Sequence, residues 1–410
     1  MAPAVVPSQW LKNVIFKRNG TQEPLPIYPL THNNCKTVAT FNGSAALHQA
    51  TVELDLQAGD TVLLPAYCCG AEIGPFIYTG CHLQFYDADE QLNAQWNQIY
   101  QQLTNDPTIK VLLVTHYFGF PQVQIEELQQ LCITTNTALL EDCAHALFGQ
   151  HAHKPLGSFG SCSIFSPRKT VALTEGGLCV SNHSIGHADP TGNEVEQSTL
   201  QPDFVPWLHR LCYSIQQHYR SYDSTQLKRW QSLLGIALCA LPMMTLKVGR
   251  KMGAWRNSNW ATADVEGDNA VGIYTTSMST SMYRLLQQAD AQVILETRRK
   301  HYKLWLAELN DDRLKTIAKP LFSHLPEQCC PLYFPLVVDN PQKLVADLAL
   351  DNIESFHWWQ HMHPAVNWPQ FPKAQSMKQR IVALPLHHQL TTAQVKHVAR
   401  SVKHSLLSSK

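Results

Sequence analysis

The sequence predicts an α/β fold, with a first part built on a mainly parallel β-sheet and a smaller C-terminal α+β domain. Between residues 38 and 182, short apolar runs alternate with segments of helical pattern, which is the order that βαβ units produce. The last hundred residues instead predict strand, helix, strand and helix. With 410 residues, 44% of them hydrophobic, the chain can hold two or three domains.

The strands predicted in the first part are short and rich in aliphatic residues, and a helix is predicted within residues 122–136. Ligands of parallel α/β sheets bind at the carboxyl ends of the strands. We therefore expect Pro65, His116, Asp142 and Ser166, which end or follow these strands, on one edge of the sheet. The predicted strands are Val62–Leu64, Leu83–Tyr86, Val111–Val114, Ala138–Leu140, Ser163–Phe165 and Leu178–Val180.

The middle of the chain interrupts this alternation. Residues 183–260 predict an atypical helical insert, in which Leu233–Val248 is apolar but broken by Pro242. This run is shorter than the roughly 20 residues that span a bilayer, so we expect a buried helix or a dimer contact. Tyr283–Leu309 predicts one long amphipathic helix that links two domains. The expected domains are a cofactor-binding domain at 1–260, a linking region at 261–310 and a small domain at 311–410.

The small domain is predicted from two strands and two helices. Thr391 or Thr392 can cap the last helix through its hydroxyl group. The predicted elements are strand Leu332–Val338, helix Gln342–Leu350, strand Ile381–Leu384 and helix Thr392–Leu407.

Composition excludes several classes of function. The 32 basic and 32 acidic residues cancel, which argues against a nucleic acid or an anionic membrane as a partner. The twelve cysteines are expected to be reduced, in a cytoplasmic protein, because the chain is long and does not open with a secretory pattern. Cys68–Cys69 and Cys329–Cys330 are adjacent pairs, unlike the spaced pairs of zinc sites, and no metal site is expected.

A run of small residues, Asn42–Leu47, precedes a predicted helix. The free N–H groups and the dipole of a helix N-terminus favour a bound phosphate. Gly43, Ser44 and Ala45 are therefore candidate phosphate-binding residues. Serine and glycine also begin helices as ordinary caps, and both interpretations stay open.

Asp142 and Lys169 follow two of the predicted strands, and the lysine precedes a glycine pair, Gly176–Gly177. Pyridoxal 5'-phosphate needs an amine that condenses with its aldehyde and a carboxylate that keeps its pyridine nitrogen protonated. Lys169 is therefore the candidate catalytic residue, Asp142 the partner of the ring nitrogen and Ser166 a phosphate ligand. Asp142 can also serve as a helix N-cap, and most lysines in such loops are simply solvated.

With these motifs in place, the chain resembles the DegT and StrS family of sugar aminotransferases, which are pyridoxal phosphate enzymes of fold type I. The resemblance covers about residues 38–182 and 278–405. It implies a fold type I aminotransferase-like structure, a homodimer and a cofactor held by Lys169. The segments that match, in the family's order, are Asn42–Leu47, Gly59–Pro65, Val114–Pro121, Glu141–Ala144, Lys169 with Glu175–Gly177, Ala383–His387 and Leu390–Thr391.

The chain departs from the family pattern at three places. Cys69 stands where the family has an aromatic residue over the cofactor ring, so stacking is expected from Tyr67 or elsewhere. His145 replaces a glutamine that contacts the cofactor's phenolic oxygen, and it keeps a hydrogen-bond donor there. Thr275–Ser277 replaces an Asn-Tyr-Arg segment that reaches the neighbouring subunit's cofactor phosphate and substrate. A diphosphate-bearing substrate would then need another cation, from Arg168, Arg284 or the atypical middle region, and Arg168 can instead serve the cofactor phosphate.

The resemblance implies transfer of an amino group from an amino acid, glutamate, to a nucleotide-linked keto sugar in polysaccharide or natural-product biosynthesis. The expected partners are the small-molecule amino donor and keto acceptor, without nucleic acid or firm membrane association. One alternative is a non-sugar ketone or amino acid as acceptor, favoured by the loss of Asn-Tyr-Arg, by Leu233–Val248 and by Trp358–Trp359. The other is a regulator that binds the cofactor without catalysis.

Overall fold

The computed structural model describes residues 35–182, 196–197 and 271–408. Its first part is organised around one large sheet with a small two-stranded hairpin beside it. The strands are β1 Lys36–Thr40, β2 Thr61–Pro65, β3 His82–Tyr86, β4 Ile109–Thr115, β5 Ala138–Asp142, β6 Gln150–His151, β7 Lys154–Pro155, β8 Cys162–Phe165, β9 Gly177–Ser181 and β10 Glu196–Gln197.

The large sheet has eight strands in the order β10-β1-β9-β8-β5-β4-β2-β3. The five neighbours from β8 to β3 are all parallel, whereas β9 runs antiparallel to both β8 and β1. This arrangement confirms the predicted, mainly parallel α/β sheet, and all six predicted strands are present. Parallel order brings the carboxyl ends of β2, β4, β5 and β8 to one edge.

Helices cover both faces of the sheet, so its central strands are buried on both sides. In β2, Val62 and Leu64 pack into the core on one face and Leu63 into the core on the other. The helix predicted within 122–136 is present as Ile125–Thr135. The helices of this part are α1 Gly43–Glu53, α2 Gly74–Thr79, α3 Trp96–Asn105 and α4 Ile125–Thr135.

The long helix predicted at Tyr283–Leu309 is wrong as a single element. After a short helix, α5 Val271–Tyr274, the structure has two helices, α6 Thr280–Gln287 and α7 Ala291–Glu308. The second begins at a true N-cap, because the Asp290 carboxylate accepts a hydrogen bond of 3.0 Å from the backbone N–H of Val293. The backbone of Asp290 is extended, as is usual for a capping residue, so no continuous helix runs through this position.

A separate four-stranded antiparallel sheet forms the C-terminal part, in the order β11-β12-β14-β13. The predicted strands and helices are all present here, and Thr391 forms a reciprocal capping box with Gln394. The elements are β11 Ala318–Pro320, β12 Phe334–Val338, α8 Pro341–Leu350, β13 Phe356–His357, α9 Pro372–Lys378, β14 Ile381–Leu384 and α10 Thr392–Leu407.

Helix α7 packs against both parts, since its Tyr302 ring lies 5.3 Å from the Phe120 ring of the first part. The Trp305 ring stacks on Phe334 of the small sheet with ring centroids 5.1 Å apart, and its indole N–H donates to the Pro385 carbonyl at 3.2 Å. The 183–260 insert, with Leu233–Val248, lies outside the described residues apart from 196–197, and the expected domain boundaries stay predictions. Among the described residues, the structure contains no helix that is long and apolar enough to cross a membrane.

Candidate active site

A cavity of about 400 Å³ opens at the carboxyl ends of β5 and β8. Its walls come from the N-terminus of α1, the loop after β2, the ends of β5 and β8, and residues 359–364 of the C-terminal part. The sheet topology therefore brings together segments that are far apart in the sequence. The predicted site residues that line the cavity are Gly43, Ser44, Cys69, Asp142, Ser166 and Lys169.

The N-terminus of α1 forms one end of the cavity. Asn42 caps the helix, since its side-chain oxygen accepts a hydrogen bond of 2.9 Å from the Ala45 N–H. The Ser166 hydroxyl faces this end, 3.6 Å from the position that a Cβ on Gly43 would take. That hydroxyl is buried and has no hydrogen-bond partner within the described residues, which is uncommon for a buried polar group.

A tight backbone contact holds the capped end in place. A Cβ added to Gly177 would lie 2.1 Å from the Asn42 carbonyl oxygen, so no larger residue fits there without a shift of the backbone. The neighbouring Gly176 N–H donates to the Phe41 carbonyl at 2.7 Å. The glycine pair found in the sequence therefore packs β9 against the start of α1.

Asp142 ends β5 at the floor of the cavity. Its carboxylate accepts a hydrogen bond of 2.8 Å from the Ala144 N–H, and no helix follows, so the alternative that it caps a helix is wrong. Burial raises the pKa of Asp142 to about 7, and the negative charge of Glu72 adds to the increase while Lys169 opposes it. An unusually placed carboxyl pKa in a cavity is typical of functional sites.

Lys169 lies on a short 3₁₀ turn, Pro167–Lys169, after β8. Its ζ-nitrogen is 3.2 Å from Nε2 of His145. The Nδ1 atom of His145 is 3.3 Å from the Phe118 backbone N–H, which donates to it. Burial and the charge of Lys169 hold the pKa of His145 well below its usual range, so the ring is neutral. With Nδ1 as an acceptor, the ring proton lies on Nε2, which can donate to Lys169 when that amine is unprotonated.

Three predicted site residues do not line the cavity. Ala45 and Tyr67 are fully buried, and the N–H of Ala45 is already used by Asn42. The Tyr67 ring packs against Tyr117, with centroids 5.4 Å apart. His145 is also buried, and it reaches the site through Lys169.

Thr275–Ser277, the segment in place of Asn-Tyr-Arg, pairs with the carboxyl end of β1. The Thr276 carbonyl accepts a hydrogen bond of 2.9 Å from the Phe41 N–H, and Ser277 bridges to Thr40. Thr276 and Ser277 are buried. This segment supplies no cation to the cavity, whereas the predicted candidate Arg168 does line it.

Next to Asp142, a buried hydrogen-bond network fixes the end of β5. The Glu141 carboxylate accepts from Nε2 of His116 at 2.9 Å and from the backbone N–H groups of Gly157 at 2.8 Å and Phe159 at 2.7 Å. Although His116, Glu141 and Cys143 lie close enough together to hold a metal ion, these donors already engage both carboxylate oxygens. We therefore interpret the cluster as a structural support of the cavity floor.

Glu72 and Trp359 are among the cavity residues that sequence reasoning missed. Glu72 is 5% exposed, and one of its oxygens accepts a hydrogen bond of 2.8 Å from the Cys69 N–H. Trp359 comes from the C-terminal part, although its aromatic pair with Trp358 was visible in the sequence. No local signal places either residue here, because both depend on how loops from distant segments meet.

Comparison with known proteins identifies the family. The model of the DegT/DnrJ/EryC1/StrS aminotransferase family matches residues 30–188 and 278–403, which together exceed half of the chain. This chain belongs to that family. The break between the two matched segments coincides with most of the atypical insert.

Several curated relatives match about a third of this chain. A GDP-perosamine synthase of Escherichia coli O157:H7 is 34% identical over 147 residues, which are 34% of this chain and 39% of that protein. A UDP-4-amino-4,6-dideoxy-N-acetyl-beta-L-altrosamine transaminase of Campylobacter jejuni is 28% identical over 144 residues, 35% of this chain and 38% of that protein. The chain therefore matches about two fifths of the length of these relatives.

Solved structures extend the likeness to the whole chain. A sugar aminotransferase of Streptococcus pneumoniae, Spr1654 in its PLP form, has a TM-score of 0.67 at 14% identity. The match covers 100% of this chain and 98% of that one. At this identity the likeness shows the fold alone, and it agrees with the fold type I architecture that the sequence predicts.

Proposed function

We propose that this chain is a pyridoxal 5'-phosphate-dependent aminotransferase that moves an amino group from glutamate to a nucleotide-linked keto sugar. One observation carries the proposal: Asp142, Lys169 and the unsatisfied hydroxyl of Ser166 meet around a single cavity at a helix N-terminus. The names of the curated relatives support the nucleotide-sugar part and a role in polysaccharide or natural-product biosynthesis. The homodimer and the cytoplasmic location expected from the sequence are part of this proposal.

The residues present fit the cofactor. A phosphate at the start of α1 would give the buried Ser166 hydroxyl the partner it lacks in the described part of the chain, beside Gly43. A protonated ring nitrogen would add a positive charge next to Asp142 and favour its ionised form. Lys169 lies in the same cavity and can reach the aldehyde. When bound, the cofactor supplies a ring that withdraws electrons from the carbon losing a proton.

Lys169 has two tasks in this mechanism. Its amine would hold the cofactor, and once free, the same ζ-nitrogen would take the proton from the donor's α-carbon and carry it during the transfer. An unprotonated amine is needed for this, and such an amine can accept the hydrogen bond from Nε2 of His145 at 3.2 Å. His145 therefore orients the atom that moves the proton.

A second candidate keeps the chemistry but changes the acceptor to a non-sugar ketone or an amino acid. The acidic side chain of Glu72 in the cavity favours it, because a carboxylate there repels the diphosphate of a nucleotide sugar. The position of Arg168 in the same cavity opposes it. Calorimetric titration with GDP and UDP separates the two, since micromolar binding supports the sugar acceptor and absence of binding supports the other.

The test of the proposal uses purified full-length protein and the variant Lys169→Ala. We expect pyridoxal phosphate to give the wild type a visible absorption band that Lys169→Ala lacks, and glutamate to convert that band. The exposed Lys110→Ala is the matched control and should behave as the wild type. A variant Lys169→Ala that still forms the band would contradict the proposal, and binding of cofactor without turnover of any amino donor would favour the regulator.

A further inference from the structure

Two large aromatic side chains, Tyr274 and Trp359, line the cavity among the described residues. The Tyr274 ring already stacks on His48, with centroids 4.9 Å apart, which leaves the indole that comes from the C-terminal part of the chain. Trp359 lines the cavity together with Asp142, Ser166 and Lys169. Its ring centroid is 5.3 Å from that of His145, whose Nε2 contacts the lysine amine. The indole thus lies next to the reacting end of the site, although 190 positions separate Trp359 from Lys169 in the numbering.

The backbone at Trp359 is held in an unfavourable conformation. Its φ angle is +49°, in the left-handed region that a bulky side chain rarely adopts. Such a conformation persists only where the surrounding structure enforces it, and it marks sites where a particular side-chain direction is needed. The strain indicates that the direction of this indole matters.

Lys378 enforces that conformation. This lysine, at the end of α9, is 1% exposed, and its ζ-nitrogen donates to the carbonyl oxygens of Trp359 at 2.9 Å and His361 at 2.8 Å. A third hydrogen bond, of 2.6 Å, goes to the Cys68 carbonyl in the loop after β2. One buried ammonium therefore fixes two cavity walls, one from each part of the chain.

Neighbouring rings restrict the indole further. Trp358 stacks on Trp359 with centroids 5.3 Å apart and planes 21° from parallel, and Tyr67 lies 5.7 Å away. The loop after β2 offers only the small side chain of Cys69 at the position where an aromatic residue was expected. A flat aromatic ligand in this cavity therefore finds its stacking partner in Trp359.

We propose that Trp359 is the residue that packs against the pyridine ring of the cofactor, and that Lys378 is the positioning residue that holds it there. This inference rests on the proposed function, because it assigns a partner to the cofactor of that function. It moves the stacking role from Tyr67, which is buried behind the cavity wall, to a side chain that lines it. It also makes cofactor binding depend on the packing of the C-terminal part.

The test measures cofactor affinity and the visible circular dichroism of the bound cofactor, both in the absence of substrate. We expect Trp359→Leu to weaken pyridoxal phosphate binding about tenfold, as loss of one aromatic contact predicts, and to reduce the dichroism. Trp359→Phe should restore both. Trp96→Leu is the matched control, because it removes an indole from a half-buried position on α3 that does not line the cavity.

The positioning role is tested with Lys378→Met against Lys373→Met, an exposed lysine of the same helix. We expect Lys378→Met to bind the cofactor about tenfold more weakly than the wild type does. Lys373→Met should bind it with wild-type affinity. Thermal unfolding identifies a Lys378 variant that fails to fold, in which case the Trp359 variants decide the proposal. The Lys378 role is overturned when a folded Lys378→Met variant keeps wild-type affinity and dichroism.

The outcomes separate this inference from the proposed function. If the wild type binds the cofactor through Lys169 and Trp359→Leu keeps wild-type affinity and dichroism, only the stacking role is overturned. The same holds if Trp359→Leu raises the KM for the acceptor alone, because the indole then serves the substrate. If the wild type does not bind pyridoxal phosphate, both the stacking role and the proposed function are overturned.

Discussion

Protonation of Asp142 should make the stability of the cofactor-free protein depend on pH. Burial and the charge of Glu72 raise the pKa of Asp142 from an ordinary value of 3.8 to about 7. The folded state therefore keeps the proton over a pH range in which the unfolded chain has lost it. Stability from this group is fully present below about pH 4 and is lost as the pH rises to about 7.

The size of the effect follows from the shift. A difference of about 3 pKa units corresponds to about 4 kcal/mol of unfolding free energy between pH 4 and pH 7. The asparagine side chain in the variant Asp142→Asn cannot titrate, so the unfolding free energy of this variant should lack the decrease. The difference between the wild type and the variant therefore separates the contribution of Asp142 from that of all other groups. Glu72→Gln removes one cause of the raised pKa of Asp142. The decrease in its unfolding free energy with pH should lie between those of the wild type and Asp142→Asn.

Urea unfolding of the cofactor-free proteins at several pH values between 4 and 7.5 measures this difference. Pyridoxal phosphate should flatten the wild-type profile, because a protonated ring nitrogen lowers the pKa of Asp142. Wild-type and Asp142→Asn profiles that run parallel over the whole range would refute the assignment of the raised pKa to this carboxyl.

Three further substitutions test the supports of the cavity. Glu141→Gln should lower the unfolding free energy by about 3 kcal/mol in urea unfolding, because an amide cannot accept from all the donors that meet this buried carboxylate. Arg298→Met should cost about 2 kcal/mol in the same assay, since the buried guanidinium bonds carbonyl oxygens of both chain parts, whereas the exposed Arg313→Met should cost under about 0.5 kcal/mol. Gly177→Ala should weaken cofactor binding in absorbance titrations at least about tenfold, because its Cβ displaces the Asn42 carbonyl at the start of α1. Unchanged values in the respective measurement would contradict each of the three.

The strands of the large sheet could be predicted from the sequence because they are buried on both faces. Runs such as Val111–Val114 are apolar throughout, and in a parallel sheet that pattern also fixes which ends carry the ligand. Asp142 and Lys169 could be found for this reason. The break between α6 and α7 was missed because the residues around Asp290 suit a helix, and only the capping hydrogen bond shows that one begins there.

The walls of the cavity depend on contacts that no local pattern contains. Lys378 looks like an ordinary helix lysine in the sequence, yet it is buried and bonds carbonyl oxygens of Cys68, Trp359 and His361. Glu72 likewise acquires its role from its proximity to Asp142 across the cavity. Such roles arise from tertiary packing, so propensity and periodicity cannot predict them.

The central claim is that Lys169 holds pyridoxal phosphate in this cavity and exchanges it with an amino donor. The most direct measurement is the absorption spectrum of the purified protein with pyridoxal phosphate, before and after excess glutamate. We expect a visible band that glutamate converts to near-ultraviolet absorption and that Lys169→Ala never forms. Absence of any band after cofactor is added to the wild type would contradict the claim.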